Sequence, residues 1–423
     1  MKRLIFTATL SLFFISAFAQ MEKRWIKRQI NTLSSPSMQG RGYVQKGVEK
    51  AANFISEKFS EFGLLPFSND SSYFQTYRFP VNTFPGAATL TLQKRELNAG
   101  TDFIVHAASA PCQTERMKVQ RVNLSSVKDS LSWQRTKAEL IPNRAIVLKN
   151  YDTLTKYLHI NTYSGGKDLP RGIYIIPRHG KLTWTVATDT IPSTIFVVED
   201  TVMPKRIRHI EARLDSRFVP AFQSKNVIGY VRGTQQPDSF IVFSAHFDHL
   251  GKLGPATFPG AHDNASGTAL MLYMANYFAQ HPQRYSMAFC AFSGEEAGLL
   301  GSEYFVNHPL FPLGSIRFVI NLDMTGDAQN GITVVNAVEQ KRAFDKLREI
   351  NDKAKYVPEI KERDQSRNSD HYSFSKKGVP SIFIYGNGIK PYYHDVFDKP
   401  QELSLENIDG LAKLLVDFVS SFR

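Results

Sequence analysis

The chain has 423 residues, of which 42% are hydrophobic and 21% charged, and these proportions are typical of a soluble globular protein. This length fits one large α/β domain with an insertion, or roughly two to three domains. Two cysteines exclude a disulfide scaffold, and an aromatic content of 12% excludes low-complexity disorder. The net charge of +12 comes from scattered basic residues, a pattern that argues against nucleic-acid binding.

The N-terminus has the features of an export signal. Two basic residues precede an apolar run, Leu4 to Phe18, that is too short for a comfortable membrane span. Ala17-Phe18-Ala19 is an A-x-A cleavage site, so residues 1–19 are predicted to be a signal peptide. The mature chain is then expected to begin near Gln20 and to be periplasmic or secreted. Basic residues at 23–28 can hinder translocation, which leaves an uncleaved N-terminal anchor as the alternative. No later stretch is long and apolar enough for a membrane span.

The first predicted helix is followed by a long region with a different sequence pattern. Gly47 to Phe62 is predicted to be an amphipathic helix, because apolar residues recur on one face until Gly63. From about residue 85 to residue 221, short β-like runs alternate with polar turns, and no helix–strand alternation of the βαβ kind is visible. We therefore predict an inserted β-rich domain at residues 85–221. Its predicted strands are Ala88–Leu92, Ala145–Lys149, Gly172–Ile176 and Ile195–Val198.

From Asn226 onward, strand patterns alternate with helix patterns. This alternation is typical of a parallel sheet with covered faces. We predict an α/β fold with a mixed, largely parallel central sheet, helices on both faces, and residues 20–84 and 222–423 in this domain. The predicted strands are Asn226–Val231, Phe240–Ala245, Met287–Phe292, Ile316–Leu322 and Pro380–Tyr385, and the predicted helices are Ala265–Gln280 and Leu405–Phe422.

Groups of histidines and carboxylates follow these strands, at the edge where open α/β sheets bind ligands. In the segment 244–249, strand alternation places His246 and Asp248 on one side, so that Asp248 can orient the His246 ring, whereas His249 is expected to point elsewhere. The alternative is a surface histidine cluster. Asp323 ends an apolar strand, where burial requires a partner, either a metal or a hydrogen-bonded turn.

Three further positions each have an ordinary structural explanation. Asp263 opens a helix and is compatible with an N-cap. Ser293 and Glu296 fit a capping box, although Glu295 and Glu296 also project differently, so that one can bind metal while the other faces water. His394 lies in a Pro-rich loop, where a histidine is usually just exposed. Together the motifs provide two histidines and three carboxylates, a mixed N/O set that suits zinc, and a shared carboxylate suits two metals.

The combination resembles the M28 family of co-catalytic zinc peptidases. The matching stretches are SAHFDHLG, DNASG, SGEEAGLLGSEYF, NLDMTG, SDHYSFSKKGVPSIF and YYHDVFD, in the family's order. The resemblance covers about Asn226 to the C-terminus and extends weakly to Gly40-Arg41 and the helix that follows. The insert looks like the protease-associated module of some members.

The resemblance implies a role for each matching residue. One zinc is held by His246, Asp263 and Asp323, and the other by Asp263, Glu296 and His394, with Asp263 bridging both. It also implies three catalytic residues. Glu295 is the general acid/base, Asp248 supports the ligand His246, and Tyr393 helps to stabilise the oxyanion. The resemblance further implies a cis peptide bond after Asp263.

The sequence therefore predicts an exported zinc aminopeptidase with two Zn²⁺ ions per chain, acting on peptide substrates. A glutaminyl cyclase on the same fold, a non-catalytic receptor-like member and a basic surface-binding protein are the alternatives. Cyclases typically have Glu-Asp where this chain has Glu295-Glu296, and a receptor-like member is expected to have lost ligands. Cys290 is predicted to be a buried thiol, and the sequence does not support a bridge to Cys112. Side-chain preference, a dipeptidase or carboxypeptidase activity, and oligomeric state stay open.

Overall fold

The structure is a computed structural model, and it describes residues 22–67, 72–159, 165–390 and 392–422. The predicted signal peptide, residues 1–19, lies outside the described residues. All the other predicted helices and strands can be compared with the structure. In the described part of the chain, no helix combines the length and the apolar character of a membrane span. Its helices are α1 (22–33), α2 (Gly47–Glu61), α3 (Ser130–Ala138), α4 (Asp152–Leu158), α5 (Gly267–Gln280), α6 (Leu300–Asn307), α7 (Lys341–Ala354), α8 (His371–Ser375) and α9 (Ile408–Ser420).

The strands form a larger sheet, a smaller sheet and a hairpin. The larger sheet contains β1 (Leu65–Pro66), β2 (Phe74–Thr83), β11 (Arg217–Val231), β12 (Gln236–His246), β15 (Tyr285–Phe292), β16 (Ile316–Leu322), β17 (Ile332–Val335), β18 (Ile360–Arg363) and β19 (Ser381–Gly386). The smaller sheet contains β3 (Ala88–Leu92), β4 (Arg95–Leu97), β5 (Phe103–Val105), β6 (Cys112–Asn123), β7 (Ala145–Lys149), β8 (Ile173–Arg178), β9 (Thr194–Glu199) and β10 (His209–Leu214). The hairpin pairs β13 (Gly251–Leu253) with β14 (Ala256–Phe258).

The larger sheet has the order β1-β11-β15-β12-β16-β19-β17-β18, with β2 also paired to β11. Strands β15, β12, β16 and β19 are mutually parallel, and β11 and β17 join this group antiparallel. The predicted mixed, largely parallel sheet is therefore confirmed. The parallel strands are mostly apolar because both their faces are covered; all eight residues of β15 are buried.

Two hydrophobic cores lie on opposite faces of this sheet. In β12, Ile241 and Phe243 belong to the core that packs against α1, α2, α5, α7 and α9, whereas Phe240 and Val242 belong to the core beneath α6 and α8. The alternation follows from the two-residue period of a strand. Cys290 is fully buried in β15, and both it and Cys112 are free thiols.

We call residues 85–221 the insert; these limits, and its likeness to a protease-associated module, stay predictions. Its sheet has the order β4-β3-β10-β6-β7-β8-β9-β5. The expectation of no βαβ alternation is wrong, because β6, β7, β8 and β9 are parallel and α3 and α4 cross between them. Apolar periodicity could not reveal α3, since Trp133 is its one buried residue and a capping box at Asp129 starts it.

The insert shares its core with the other domain. The hairpin β13–β14 and the residue before it contribute Leu250, Leu253 and Phe258 to the apolar cluster that also contains Trp184 and Phe103 of the insert. All five side chains are less than a tenth exposed. The insert is therefore fixed directly beside the segment that leads into the site at residue 263.

Candidate metal centre

Three neighbouring parallel strands bring the predicted site residues to one edge of the larger sheet. His246 is the last residue of β12, Asp323 directly follows β16, and Glu295 and Glu296 lie just beyond β15. Because the carboxyl ends of adjacent parallel strands meet at one edge, these side chains come together. All are nearly buried; the Glu295 side chain is 14% exposed, and that of His246 1%.

Asp263 lies between the two predicted histidine ligands. Its Oδ1 is 3.3 Å from Nε2 of His246, and its Oδ2 is 3.1 Å from Nε2 of His394. The peptide bond from Asp263 to Asn264 is cis, as the resemblance implies. The Asp398 carboxylate accepts the backbone N–H groups of His262 and Asp263 at 2.7 and 3.0 Å. The two Asp263 oxygens thus face two different clusters.

The first cluster consists of His246, Asp263 and Asp323, whose nearest ligand atoms all lie within 4.8 Å of one another. Oδ1 of Asp323 is 3.4 Å from Nε2 of His246, and this buried oxygen has no hydrogen-bond partner. Oδ2 of Asp323 instead accepts the Ser369 hydroxyl at 2.8 Å, and Asn321 donates to that hydroxyl oxygen at 2.7 Å. One oxygen of Asp323 is therefore held in place while the other lacks a partner.

The second cluster is built around Glu296. Its Oε2 lies 3.0 Å from Nε2 of His394, beside Oδ2 of Asp263. Its Oε1 accepts Nδ1–H of His249 at 2.6 Å. The expectation that His249 points elsewhere is therefore wrong. Strand pairing ends at His246, so the two-residue alternation no longer applies three residues later, and His249 is fully buried at the site.

Asp248 lies behind both clusters. Its Oδ1 is 3.7 Å from Nδ1 of His246, a nitrogen that also donates to the Asp248 backbone carbonyl at 3.3 Å. The Asp248 carboxylate accepts the backbone N–H groups of Glu295 and Glu296, both at 3.3 Å, and the Tyr43 hydroxyl at 2.5 Å. Asp248 therefore fixes one histidine ring and the start of the Glu-Glu segment at the same time.

Burial and charge oppose each other at the histidines. Burial lowers the pKa of His246, but the carboxylates of Asp323 and Glu295 outweigh it and raise that pKa well above its ordinary value. At His394, burial is likewise outweighed by Glu296 and Asp263, so its pKa is also raised.

Glu295 differs from the other carboxylates. Its Oε2 is 3.9 Å from Nε2 of His246, and no described side chain holds it as tightly as Ser369 holds Asp323. Burial raises the pKa of Glu295 well above its ordinary value; His246 opposes this shift, whereas Glu296 and Asp323 add to it. A carboxyl group with a raised pKa, open to a cavity, is suited to exchange a proton.

Arg41 is the main residue of the site that the sequence did not single out for a role there. It is fully buried, and its guanidinium donates to the carbonyls of Phe247, Leu33 and Pro259 at 2.8, 2.9 and 2.8 Å. It also donates to Gly260 at 2.6 Å and to the backbone oxygen of Asp263 at 3.2 Å. Burial lowers the pKa of Arg41 to about 10, an effect that Asp398 and Asp263 partly offset.

The glycine before Arg41 permits this close approach. A Cβ at Gly40 would lie 2.5 Å from the carbonyl oxygens of both Gly251 and Phe258, and the backbone there has a φ of +61°. Only glycine meets both conditions without strain. The sequence showed the pair Gly40-Arg41 as the start of the resemblance. Apart from Leu33, however, the residues whose carbonyls Arg41 contacts lie more than 200 positions further along the chain.

A cavity of about 380 Å³ opens onto both clusters. Glu295 lines it, and so does Tyr393, whose ring stacks on that of His394 with 3.9 Å between centroids. The rest of the wall includes Arg363 and Lys390. Tyr393 thus lies at the cavity as the oxyanion role requires. Tyr393 is 44% exposed, and its hydroxyl can donate a hydrogen bond.

The residues of the two clusters fit a pair of metal ions. Buried carboxylates packed this closely are unfavourable unless a cation or proton compensates them. Asp323 Oδ1 and Nε2 of His249 are buried without hydrogen-bond partners, and the donor atoms are imidazole nitrogens and carboxylate oxygens. Such mixed N/O sets are typical of zinc.

Comparison with known proteins agrees with this chemistry. The family model "Peptidase family M28" matches residues 226–419. Aminopeptidase YwaD of Bacillus subtilis is 30% identical over 219 residues, which is 48% of this chain and 46% of that protein. A probable leucine aminopeptidase of Arthroderma otae is 25% identical over 220 residues, 48% of this chain and 58% of that protein. The matches thus span less than two thirds of these curated relatives.

Solved structures extend the likeness to the whole fold. A zinc aminopeptidase from Bacillus subtilis superposes with a TM-score of 0.69 at 20% identity, covering 94% of each chain. An aminopeptidase from Aneurinibacillus sp. strain AM-1 has a TM-score of 0.61 at 18% identity, covering 94% of this chain and 93% of that one. The match to peptidase family M28 covers residues 226–419, a little less than half of the chain, and this region contains all five of the predicted metal ligands.

Proposed function

We propose that the protein is an exported aminopeptidase that hydrolyses the N-terminal peptide bond of peptide substrates at a site for two zinc ions. The observation that carries this proposal is the position of Asp263, whose two carboxylate oxygens lie 3.3 and 3.1 Å from two different histidines. A carboxylate in this position is suited to bridge two cations. The relatives named aminopeptidase and zinc aminopeptidase support the same assignment.

The two metal positions use separate residues apart from the bridge. His246, Asp263 and Asp323 would hold one ion, and Asp263, Glu296 and His394 the other. Zinc bound there would lower the pKa of water and polarise a carbonyl group. The chain itself must supply the proton acceptor, the orientation of the substrate and the exclusion of bulk water.

Glu295 is the residue placed to move the proton. It lines the cavity and lies beside the first cluster, so its carboxylate can accept a proton from the attacking water and later donate it to the leaving amine. Asp248 positions it by accepting its backbone N–H. Tyr393, whose ring stacks on that of His394 at the cavity, is the candidate donor to the oxyanion.

The preference for a free N-terminus is proposed from Glu295. Its carboxylate lines the cavity and is not one of the proposed metal ligands, so it can pair with a substrate ammonium group. An acetylated N-terminus has no charge and is bulkier, and it would lose this attraction. Export is proposed from the N-terminal sequence, and the reaction does not depend on it.

A panel of free and N-acetylated peptides tests the reaction. With zinc, free peptides are expected to lose residues one at a time from the N-terminus, and chelation should abolish this release. Acetylated peptides of the same sequence should resist. Full activity in chelator, or equal cleavage of both peptide sets at internal bonds, would overturn the proposal. Conversion of N-terminal Gln to a pyrrolidone without hydrolysis would favour a cyclase.

A further inference from the structure

The ring of His394 is held from the insert. Its Nε2 faces Asp263 and Glu296, and its other nitrogen, Nδ1, donates to the backbone carbonyl of Trp184 at 2.9 Å. The backbone N–H of Trp184 in turn donates to the carbonyl of His394 at 3.0 Å. The two residues, 210 positions apart, are thus joined in both directions.

The other histidine ligand has a different support. Nδ1 of His246 donates to the backbone of Asp248, and the Asp248 carboxylate lies 3.7 Å away. Both residues belong to the domain that contains the larger sheet. His249 also lies beside the second position, within ligand distance of Asp263 and Glu296. Of the two predicted histidine ligands, however, only His394 is oriented by the insert.

We call residues 181–185 the strap, and several contacts fix it in the structure. The Trp184 indole donates to the carbonyl of Val105 at 3.0 Å and packs against Phe258, with 4.7 Å between ring centroids. Lys181, at the start of the strap, pairs with Asp395 at 2.9 Å. The Asp395 side chain is 6% exposed, so the carboxylate of this ion pair is largely shielded from solvent.

We infer that the strap is a positioning element of the second metal position, the one formed by Asp263, Glu296 and His394. It fixes which nitrogen of His394 is free to bind metal, and it holds the backbone of the loop that carries this residue. An acceptor at the second ring nitrogen sets the tautomer and the ring orientation of a histidine ligand. The inference rests on the proposed two-metal function.

The strap can be loosened without touching a ligand. Lys181→Met removes the ion pair with Asp395 but keeps an apolar stem of similar length. Trp184→Phe removes the indole donor to Val105 but keeps a ring against Phe258. Both replacements keep an apolar side chain of similar reach, and the melting temperature of each variant checks that it folds. Changes behind a metal ligand typically cost about 10- to 100-fold in metal affinity.

The control is Lys167→Met. It breaks the ion pair between Lys167 and Asp189, both of which belong to the insert, and removes the same charge as Lys181→Met. Zinc affinity at the first metal position, the one with His246, serves as a second control and is measured in the same variant. Any loss of affinity confined to one position cannot result from a general loss of stability.

The experiment is a zinc titration by calorimetry of the metal-free full-length protein, together with the visible absorption spectrum of its cobalt(II) form. Lys181→Met and Trp184→Phe, and more strongly the double variant, are expected to weaken one of two zinc equivalents about 10- to 100-fold. The absorption of one cobalt position should change, and Lys167→Met should behave as wild type.

Three results would contradict these expectations in different ways. If the wild type binds two zinc ions and both strap variants match it in affinity and spectrum, the inference is wrong. Equal weakening at both positions would also overturn it, because it would indicate a general structural effect. If the wild type binds no zinc, the two-metal proposal itself fails.

Discussion

The Ser369 hydroxyl donates to Oδ2 of Asp323 at 2.8 Å, and this single bond decides which oxygen of the carboxylate is free for a metal. The other oxygen, Oδ1, is buried without a hydrogen-bond partner and lies 3.4 Å from Nε2 of His246. Ser369 is itself fixed by Asn321, which accepts from Ser244. This line of polar side chains therefore orients the first metal position from behind.

Ser369→Ala should accordingly weaken zinc binding at the position of His246, by about tenfold or more, because the Asp323 carboxylate can then rotate. Zinc titration of the metal-free protein measures the effect. Ser375→Ala, at the end of the neighbouring helix α8, is the matched control, since the Ser375 hydroxyl accepts a hydrogen bond from the Gln365 side chain rather than contacting a ligand. Wild-type affinity in Ser369→Ala would show that the serine does not orient the ligand.

The two adjacent glutamates should separate chemically. Glu296→Ala is expected to lose one metal and the activity, because Glu296 contacts both His394 and His249. Glu295→Gln should keep both metals and the fold but lose about 10²–10⁴-fold in turnover, the usual effect of removing a general base. Metal content, melting temperature and turnover of both variants are the measurements.

Other results for the two glutamate variants would contradict these role assignments. If Glu295→Gln loses metal and Glu296→Ala retains it, the two roles are assigned the wrong way round. The capping-box alternative is wrong, because helix α6 begins at Leu300 and the Glu296 carboxylate accepts from His249. If both variants keep zinc and turnover, and Glu296→Ala only melts slightly earlier, Glu296 stabilises the fold through this hydrogen bond and does not bind metal.

Arg41 should prove essential for stability through its geometry rather than its charge. Arg41→Met leaves several buried carbonyls without donors, and one such group costs about 1–3 kcal/mol, so we expect a loss above about 3 kcal/mol in the free energy of unfolding. Arg41→Lys should also be destabilised, because one ammonium group cannot replace the planar fork. Urea unfolding compares both with Arg95→Met, an exposed control expected within about 0.5 kcal/mol of wild type. Wild-type stability in Arg41→Lys would contradict this account.

His371 provides a pH-dependent contribution. Burial lowers its pKa from 6.5 to about 4, so the unfolded chain binds a proton in this range that the folded chain does not. Stability therefore falls as the pH decreases from about 6.5 towards 4. His371→Leu removes this proton, and between pH 7 and 5 it should lose about 2 kcal/mol less than wild type.

Urea unfolding of both proteins in the presence of chelator checks this difference, because chelation removes the pH dependence of metal binding. The same pH dependence in wild type and His371→Leu would mean that His371 is protonated in the folded protein, or that it does not titrate alone.

The sheet, and the edge at which the predicted ligands meet, could be predicted from local patterns, whereas the role of each ligand came from the resemblance to the M28 family. Apolar runs marked β12, β15 and β16, and polar residues at their carboxyl ends marked the site. His249 and Arg41 were not predictable in this way. The direction of His249 is set by an irregular segment after β12, and Arg41 binds backbone carbonyls, which leave no trace in the sequence of the partner residues.

The helices of the insert show a second reason why parts of the fold could not be predicted from the sequence. Helix α3 has a single buried side chain, and α4 has seven residues, so neither produces a 3.6-residue apolar period. The parallel pairing of β6 with β7 and of β7 with β8 depends on these helical crossovers, and it could not be inferred without them.

The apolar cluster shared by the hairpin β13–β14 and the insert has a consequence for any shortened form of the protein. Excision of residues 85–221 would uncover Leu250, Leu253 and Phe258, which are at most 5% exposed in the intact chain. A trimmed enzyme would therefore need polar replacements at these three positions to stay in solution. The intact chain should melt in one cooperative transition, because neither half has a complete interior of its own.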